Sequence, residues 1–124
     1  GAVIVKNDEI VAMAHNTKEK TACSVNHAEI LAIIEASNKI SNWRLEDCDI
    51  YVTLDPCPMC ASALKQARIR NVYSALSNSD SNTYKILKMI FMSDNTNPSI
   101  NFYSDLMCDE SKMLLQKFFS ERRK

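Results

Sequence analysis

Two short motifs constrain this chain more than anything else in it: His27-Ala28-Glu29, and Pro56-Cys57-Pro58-Met59-Cys60, whose first cysteine falls thirty residues beyond that histidine. Together they hold one imidazole, two thiols and one carboxylate. Three nitrogen and sulfur donors without an obvious fourth make the set of a catalytic zinc site, because a structural site closes its tetrahedron with four protein ligands. If these side chains act together, the fold must bring two distant segments to one point.

The surrounding pattern predicts where those segments lie. Residues 2–6 are Val/Ile-rich, Asn7-Asp8 is a turn signal and residues 9–14 resume an apolar run, which reads as a β-hairpin. Residues 16–25 are polar and read as a loop. From Asn26, a good N-cap, Ile30, Leu31, Ile33 and Ile34 recur at helical spacing, so a helix is expected over 27–39 with His27 and Glu29 in its first turn. Residues 49–54 are β-branched and aromatic and read as a strand. Asp55-Pro56 ends it, and Pro58 suits the first position of a helix over 58–67, where its missing N–H is not needed. Cys57 and Cys60 straddle that helix start. A strand follows over 71–75, then a helix over 84–92, a break at Pro98 and a short strand around 100–103. Leu114, Leu115, Phe118 and Phe119 close the pattern with an amphipathic helix over about 109–122. The only glycine is Gly1, against eleven asparagines, so tight turns are expected to lean on Asn and Asp.

This order predicts an α/β sandwich with a mostly parallel sheet. Right-handed crossovers would set the helices over 27–39 and 58–67 side by side, with their N-termini at the carboxyl edge of the strands, where open α/β sheets bind ligands. The partial positive charge of each helix start is expected to favour thiolate over thiol at Cys57 and Cys60.

A length of 124 residues is that of one domain spanning 1–124. Fifteen Lys and Arg balance fifteen Asp and Glu, so a basic surface for nucleic acid has to be local. Lys65, Arg68 and Arg70, and the Arg122-Arg123-Lys124 end, are the clusters that would meet phosphates. The sequence shows neither an apolar run of about 20 residues nor a signal-peptide layout, so no membrane is implied. Five cysteines without regular spacing argue against a disulfide framework and for a reducing, cytoplasmic setting. Cys23, Cys48 and Cys108 read as small buried hydrophobes.

Zinc held by His27, Cys57 and Cys60 would lower the pKa of a water toward about 7, and Glu29 is placed to shuttle protons without binding the metal. The reaction class is hydrolytic deamination of an amidine-like carbon, since H-x-E followed by P-C-x-x-C is the signature of zinc deaminases. A reading of another class, a non-catalytic structural zinc module, would need Cys23, His15, Cys48 or an acid as a fourth ligand.

The chain resembles the cytidine deaminase-like superfamily and, within it, the tRNA-specific adenosine deaminases. The matching residues are Gly1-Ala2-Val3-Ile4-Val5, Asn16, His27-Ala28-Glu29-Ile30, Asn42-Trp43-Arg44-Leu45, the run from Tyr51 through Pro56-Cys57-Pro58-Met59-Cys60 to Ala63, Ala67-Arg68-Ile69, and Phe118-Phe119 with Arg122-Arg123. The resemblance implies a three-layer α/β/α sandwich on a mixed, mostly parallel five-stranded sheet, a zinc cofactor, and conversion of the wobble adenosine of tRNA to inosine. It implies that Asn16 contacts the flipped nucleoside, that Ala28 offers its backbone N–H to the base, and that Phe119 and Arg122 touch the anticodon loop. It further implies a homodimer, or a heterodimer with a non-catalytic paralogue. The zinc motifs are shared with guanine and cytosine deaminases, so a free-base or nucleoside substrate is the alternative; the choice of tRNA rests on residues 42–45, 67–69 and the tail. Three departures stand out. The chain starts at the first strand, without the N-terminal helix usual in that family. Residues 76–82 lack the usual glycine and basic residues, and Asp55 stands where glutamate is usual.

Overall fold

A computed structural model describes residues 1–15, 24–77, 80–93 and 99–105 of the chain. The hairpin opens it: β1 (Ala2–Lys6) and β2 (Glu9–Ala14) pair antiparallel. Asn7 and Asp8 both take positive φ, 52° and 65°. Two left-handed residues in succession give the turn whose twist matches a two-residue hairpin, a place usually filled by Asn-Gly and here closed by Asp. The register shifts between Ile4 and Val5, leaving Val11 as the extra residue of a bulge.

After the hairpin come α1 (Ala28–Ile40), β3 (Cys48–Leu54), α2 (Pro58–Gln66), β4 (Asn71–Leu76), α3 (Ser81–Met92) and β5 (Asn101–Tyr103). The sheet order is β2-β1-β3-β4-β5. β1 is antiparallel to both neighbours, while β3, β4 and β5 are parallel. Four strands therefore run one way and β1 alone the other, the mixed five-stranded α/β sheet expected from the sequence.

The three crossovers through α1, α2 and α3 all step across the sheet in one direction, so a constant right-handed connection places all three helices on one face. The packing agrees. Ala28, Ala32 and Ala36 of α1, Leu64 of α2, and Leu87 and Phe91 of α3 share one core with Ile4, Ile50, Val52 and Val72 of the sheet. Alanines line the buried side of α1, so that helix needs little room above β1 and β2. The opposite face buries Val3, Val5 and Met13 against Ile10 and Tyr51. There the parallel register aligns Tyr51, Tyr73 and Tyr103, whose rings stack at centroid distances of 4.8 and 5.2 Å. The helix expected over 109–122 lies outside the described residues.

α3 begins three residues before the expected start, because Asp80 caps it by accepting a 2.7 Å hydrogen bond from the Thr83 amide. α1 ends at Ser41, φ 59°, and the amides of Ser41 and Asn42 both donate to the Ser37 carbonyl. Among the described residues, no helix is long and apolar enough to cross a membrane.

Candidate metal centre and active site

β3 delivers the chain to the site. Beyond Leu54, Asp55 and the buried Pro56 lead off the sheet into α2, with Pro58 at its first turn as expected. Cys57 is the N-cap of α2, extended at φ −76° and ψ 167°, and its carbonyl accepts from the Ala61 amide at 2.9 Å. Cys60, three residues on, is fully buried in the first turn. His27 plays the matching part at α1, with φ −75° and ψ 154° and a 3.0 Å bond from the Leu31 amide to its carbonyl.

This corrects the expected cap. The helix starts one residue later than predicted, so His27 takes the N-cap position assigned to Asn26. The extended backbone of a cap residue lets the imidazole leave the helix surface and meet the thiols of α2. Neither His27 nor Cys57 bonds back to its own helix through its side chain.

The two helices pack side by side, and their starts converge. His27 Nδ1 lies 3.4 Å from Cys60 Sγ and 3.7 Å from Cys57 Sγ, and the three donor atoms all fall within 4.8 Å of one another. A zinc ion about 2.0–2.3 Å from each of three tetrahedral corners sets those corners roughly 3.3–3.8 Å apart, so the imidazole–thiol distances fit it. Among the described residues this is the only trio of His, Cys, Asp or Glu so arranged. His15 and Cys48 do not join it. Cys48 is buried at the far end of β3, a seven-residue strand of about 20 Å. Cys23 lies outside the described residues.

Glu29 sits in the first turn of α1, half-buried, where the helix dipole favours a carboxylate. Its charge bears on the Cys60 thiol. Burial pushes that thiol well above its ordinary value, and the Glu29 carboxylate and the neighbouring Cys57 add to the effect. For Cys60 this runs against the pull of the helix start toward thiolate. Desolvation beside a carboxylate outweighs a half-charge at a helix end. Thiol ligands have to be deprotonated to bind a metal, so binding is coupled to proton release.

Ala28 is buried as the first residue of α1, a position whose N–H has no intrahelical acceptor. Asn16, Phe119 and Arg122 lie outside the described residues. The basic cluster over 65–70 is dispersed. Lys65 is only 6 % exposed and donates from Nζ to the Phe91 carbonyl at 3.2 Å, so it offers no charge to a phosphate. Arg70 forms a two-pronged ion pair with Asp49, at 3.1 and 3.0 Å. Arg68 stacks on Trp43.

The segments 42–45 and 67–69, which the resemblance tied to the choice of substrate, form one unit. The Leu45 amide donates to the Ala67 carbonyl at 2.7 Å, and the guanidinium carbons of Arg44 and Arg68 lie 4.5 and 5.1 Å from the Trp43 ring centre. That unit closes the C-terminal ends of α1 and α2, a nine-residue helix of about 13 Å away from the ligands. Its described contacts are structural.

Sequence reasoning singled out Asp55 but not its partners. Its carboxylate accepts the Ser104 hydroxyl at 2.6 Å and the Ser77 hydroxyl at 3.1 Å, and its amide donates to the Leu76 carbonyl at 3.2 Å. The partners stand 22 and 49 residues away, so no local pattern announces them.

Comparison with known proteins places this geometry. A family model described as MafB19-like deaminase matches residues 1–123. A protein of Bacillus subtilis named tRNA-specific adenosine deaminase is 38 % identical over 124 residues, covering all of this chain and 77 % of the relative. A solved structure from a study of A-to-I editing by tRNA:A34 deaminases at the wobble position of transfer RNA superposes with a TM-score of 0.69. It is 32 % identical and covers 83 % of this chain and 79 % of its own. The guanine deaminase of Bacillus subtilis superposes at 0.63, with 30 % identity over 96 % of this chain and 78 % of the other.

Proposed function

We propose that this chain, which belongs to the MafB19-like deaminase family and has tRNA-specific adenosine deaminases as relatives, hydrolyses the wobble adenosine of a tRNA to inosine, releasing ammonia. The observation that carries the chemistry is the meeting of His27, Cys57 and Cys60 beside the Glu29 carboxylate. His27, Cys57 and Cys60 would hold zinc, which when bound supplies the Lewis acidity that makes a water reactive near neutral pH.

The chain's own residues do the rest. Glu29 takes a proton from the attacking water and gives it to a ring nitrogen of adenine. Once the water oxygen has bonded to C6, the same carboxylate carries the remaining hydroxyl proton to the amino group, which leaves as ammonia as the C6–N6 bond breaks. Ala28 offers its backbone N–H to the base and Asn16 holds the flipped nucleoside. Phe119 and Arg122 lie on the anticodon loop. A single-stranded loop suits such a site, because a base has to leave its stack to reach a buried catalytic group.

The tRNA substrate is supported by 38 % identity, over all or nearly all of this chain, to proteins named for it, with the guanine deaminase likeness as the competing reading. In this reading residues 1–124 form one deaminase domain that works in the cytoplasm as a homodimer or beside a non-catalytic paralogue. The test is to incubate the purified protein in parallel with an anticodon stem-loop RNA, guanine, cytosine and adenosine. Inosine in the RNA alone supports the proposal; conversion of a free base alone selects the alternative.

A further inference from the structure

Asp55 is the one residue between the end of β3 and the Pro56-Cys57 pair that carries a metal ligand. Its backbone amide is tied to the end of β4 through Leu76. One carboxylate oxygen takes the hydroxyl of Ser77, just after β4, and the other takes that of Ser104, just after β5. The ends of three neighbouring strands are thus drawn to one side chain, directly before the ligand loop. Strands lie about 4.8 Å apart, so Ser104, from two strands away, reaches Asp55 only because the chain beyond β5 folds in over the end of β4.

The two bonds are not equal. The Ser104 contact is partly buried and 2.6 Å long, within the range of charge-assisted O–H···O⁻ bonds, whereas the Ser77 contact is exposed. From Asp55 to Cys57 there are two peptide units. One belongs to Pro56, whose ring fixes φ and whose side chain is buried, so the loop has little freedom to absorb a rotation at Asp55.

We propose that Asp55, held by the Ser104 hydroxyl, is a positioning residue that fixes the Pro56-Cys57 loop at the separation from His27 that a metal ion requires. The inference rests on the zinc reading of the site. Removing the clamp lets Cys57 move relative to His27 and Cys60, and metal affinity falls with it. Outer residues that orient metal ligands commonly control affinity by about 10–100-fold.

The experiment measures zinc affinity by competition with a chromophoric chelator for the full chain and for Asp55→Ala, Ser104→Ala, Ser77→Ala and the Asp55→Ala/Ser104→Ala double variant. Denaturant unfolding of each protein is followed with and without zinc. Asp55→Ala is expected to bind zinc about 10–100-fold more weakly. Ser104→Ala weakens it by a smaller factor, the double variant is no worse than Asp55→Ala, and Ser77→Ala stays near wild type. Unfolding should shift more for the zinc-loaded than for the metal-free protein. Equal shifts of both forms with unchanged zinc affinity mean that Asp55 only holds strands together, and overturn the proposal. If Asp55→Ala does not fold, Ser104→Ala decides: unchanged affinity there overturns the proposal as well. A wild-type chain that takes up no zinc defeats the zinc reading and this inference with it, whereas a zinc-binding wild type matched by both variants defeats this inference alone.

Discussion

Sγ of Cys60 lies 3.4 Å from Nδ1 of His27, across 33 residues of chain, and the charge of Glu29, two residues beyond that histidine, bears on the same sulfur. The candidate metal donors and the proposed proton carrier are thus supplied by the starts of two adjacent helices. The arrangement separates two jobs that mutation can pull apart.

Glu29→Ala should keep stoichiometric zinc, since the donors are His27, Cys57 and Cys60, yet lose the proton carrier. Turnover is expected to fall by at least about 10²–10⁴, the usual worth of a general acid/base. Elemental analysis and single-turnover kinetics on the same preparation check both halves. Near-normal turnover at full zinc content would remove Glu29 from its role.

Cys57→Ala should lose metal and stability together. An ion that binds only the folded chain adds its binding free energy to folding, so the wild-type unfolding midpoint should drop on adding a chelator and the variant's should not. Zinc content equal to wild type in Cys57→Ala would strike Cys57 from the ligands.

The candidate donor trio was legible in the sequence because each member sits beside a helix start that the local pattern marks: apolar residues at helical spacing after His27, and Pro58 directly after Cys57. The hairpin was legible for a similar reason, as Asn7-Asp8 separates two apolar runs. What escaped depends on partners far along the chain. Lys65 reads as surface because charge is normally solvated, and only the carbonyl of Phe91, 26 residues on, explains its burial. The clamp at Asp55 needs Ser77 and Ser104, and the pairing of residues 42–45 with 67–69 needs the ends of α1 and α2 to meet. The cap at His27 rather than Asn26 was decided by the side chain's tertiary partners, against the local preference for Asn.

Lys65→Ala separates structure from RNA binding at one position. It deletes a buried aliphatic stem and a charge-assisted bond to the Phe91 carbonyl, so stability should fall by about 1–3 kcal/mol in denaturant unfolding. The salt dependence of binding to an anticodon stem-loop should stay as in wild type, because each phosphate-neutralising cation contributes to that slope and Lys65 is not one. A flatter slope with unchanged stability would return Lys65 to the RNA surface.

Ser41→Gly tests the economy of a chain that has one glycine. Ser41 ends α1 in the left-handed region at φ 59°, exposed to solvent, while its amide bonds back to Ser37. A residue with a Cβ held there costs about 1–2 kcal/mol, and glycine returns about 0.4–1 kcal/mol of that through the freedom it adds to the unfolded chain. The balance predicts a gain of about 0.5–1 kcal/mol in unfolding free energy, with zinc content and deaminase rate unchanged, since the C-terminal end of α1 is remote from His27. The same substitution at Ala36, buried mid-helix with ordinary helical backbone, should instead destabilise by about 1 kcal/mol, because glycine there adds chain entropy and relieves nothing. Equal effects at the two positions would mean that backbone conformation does not govern how this chain terminates its first helix.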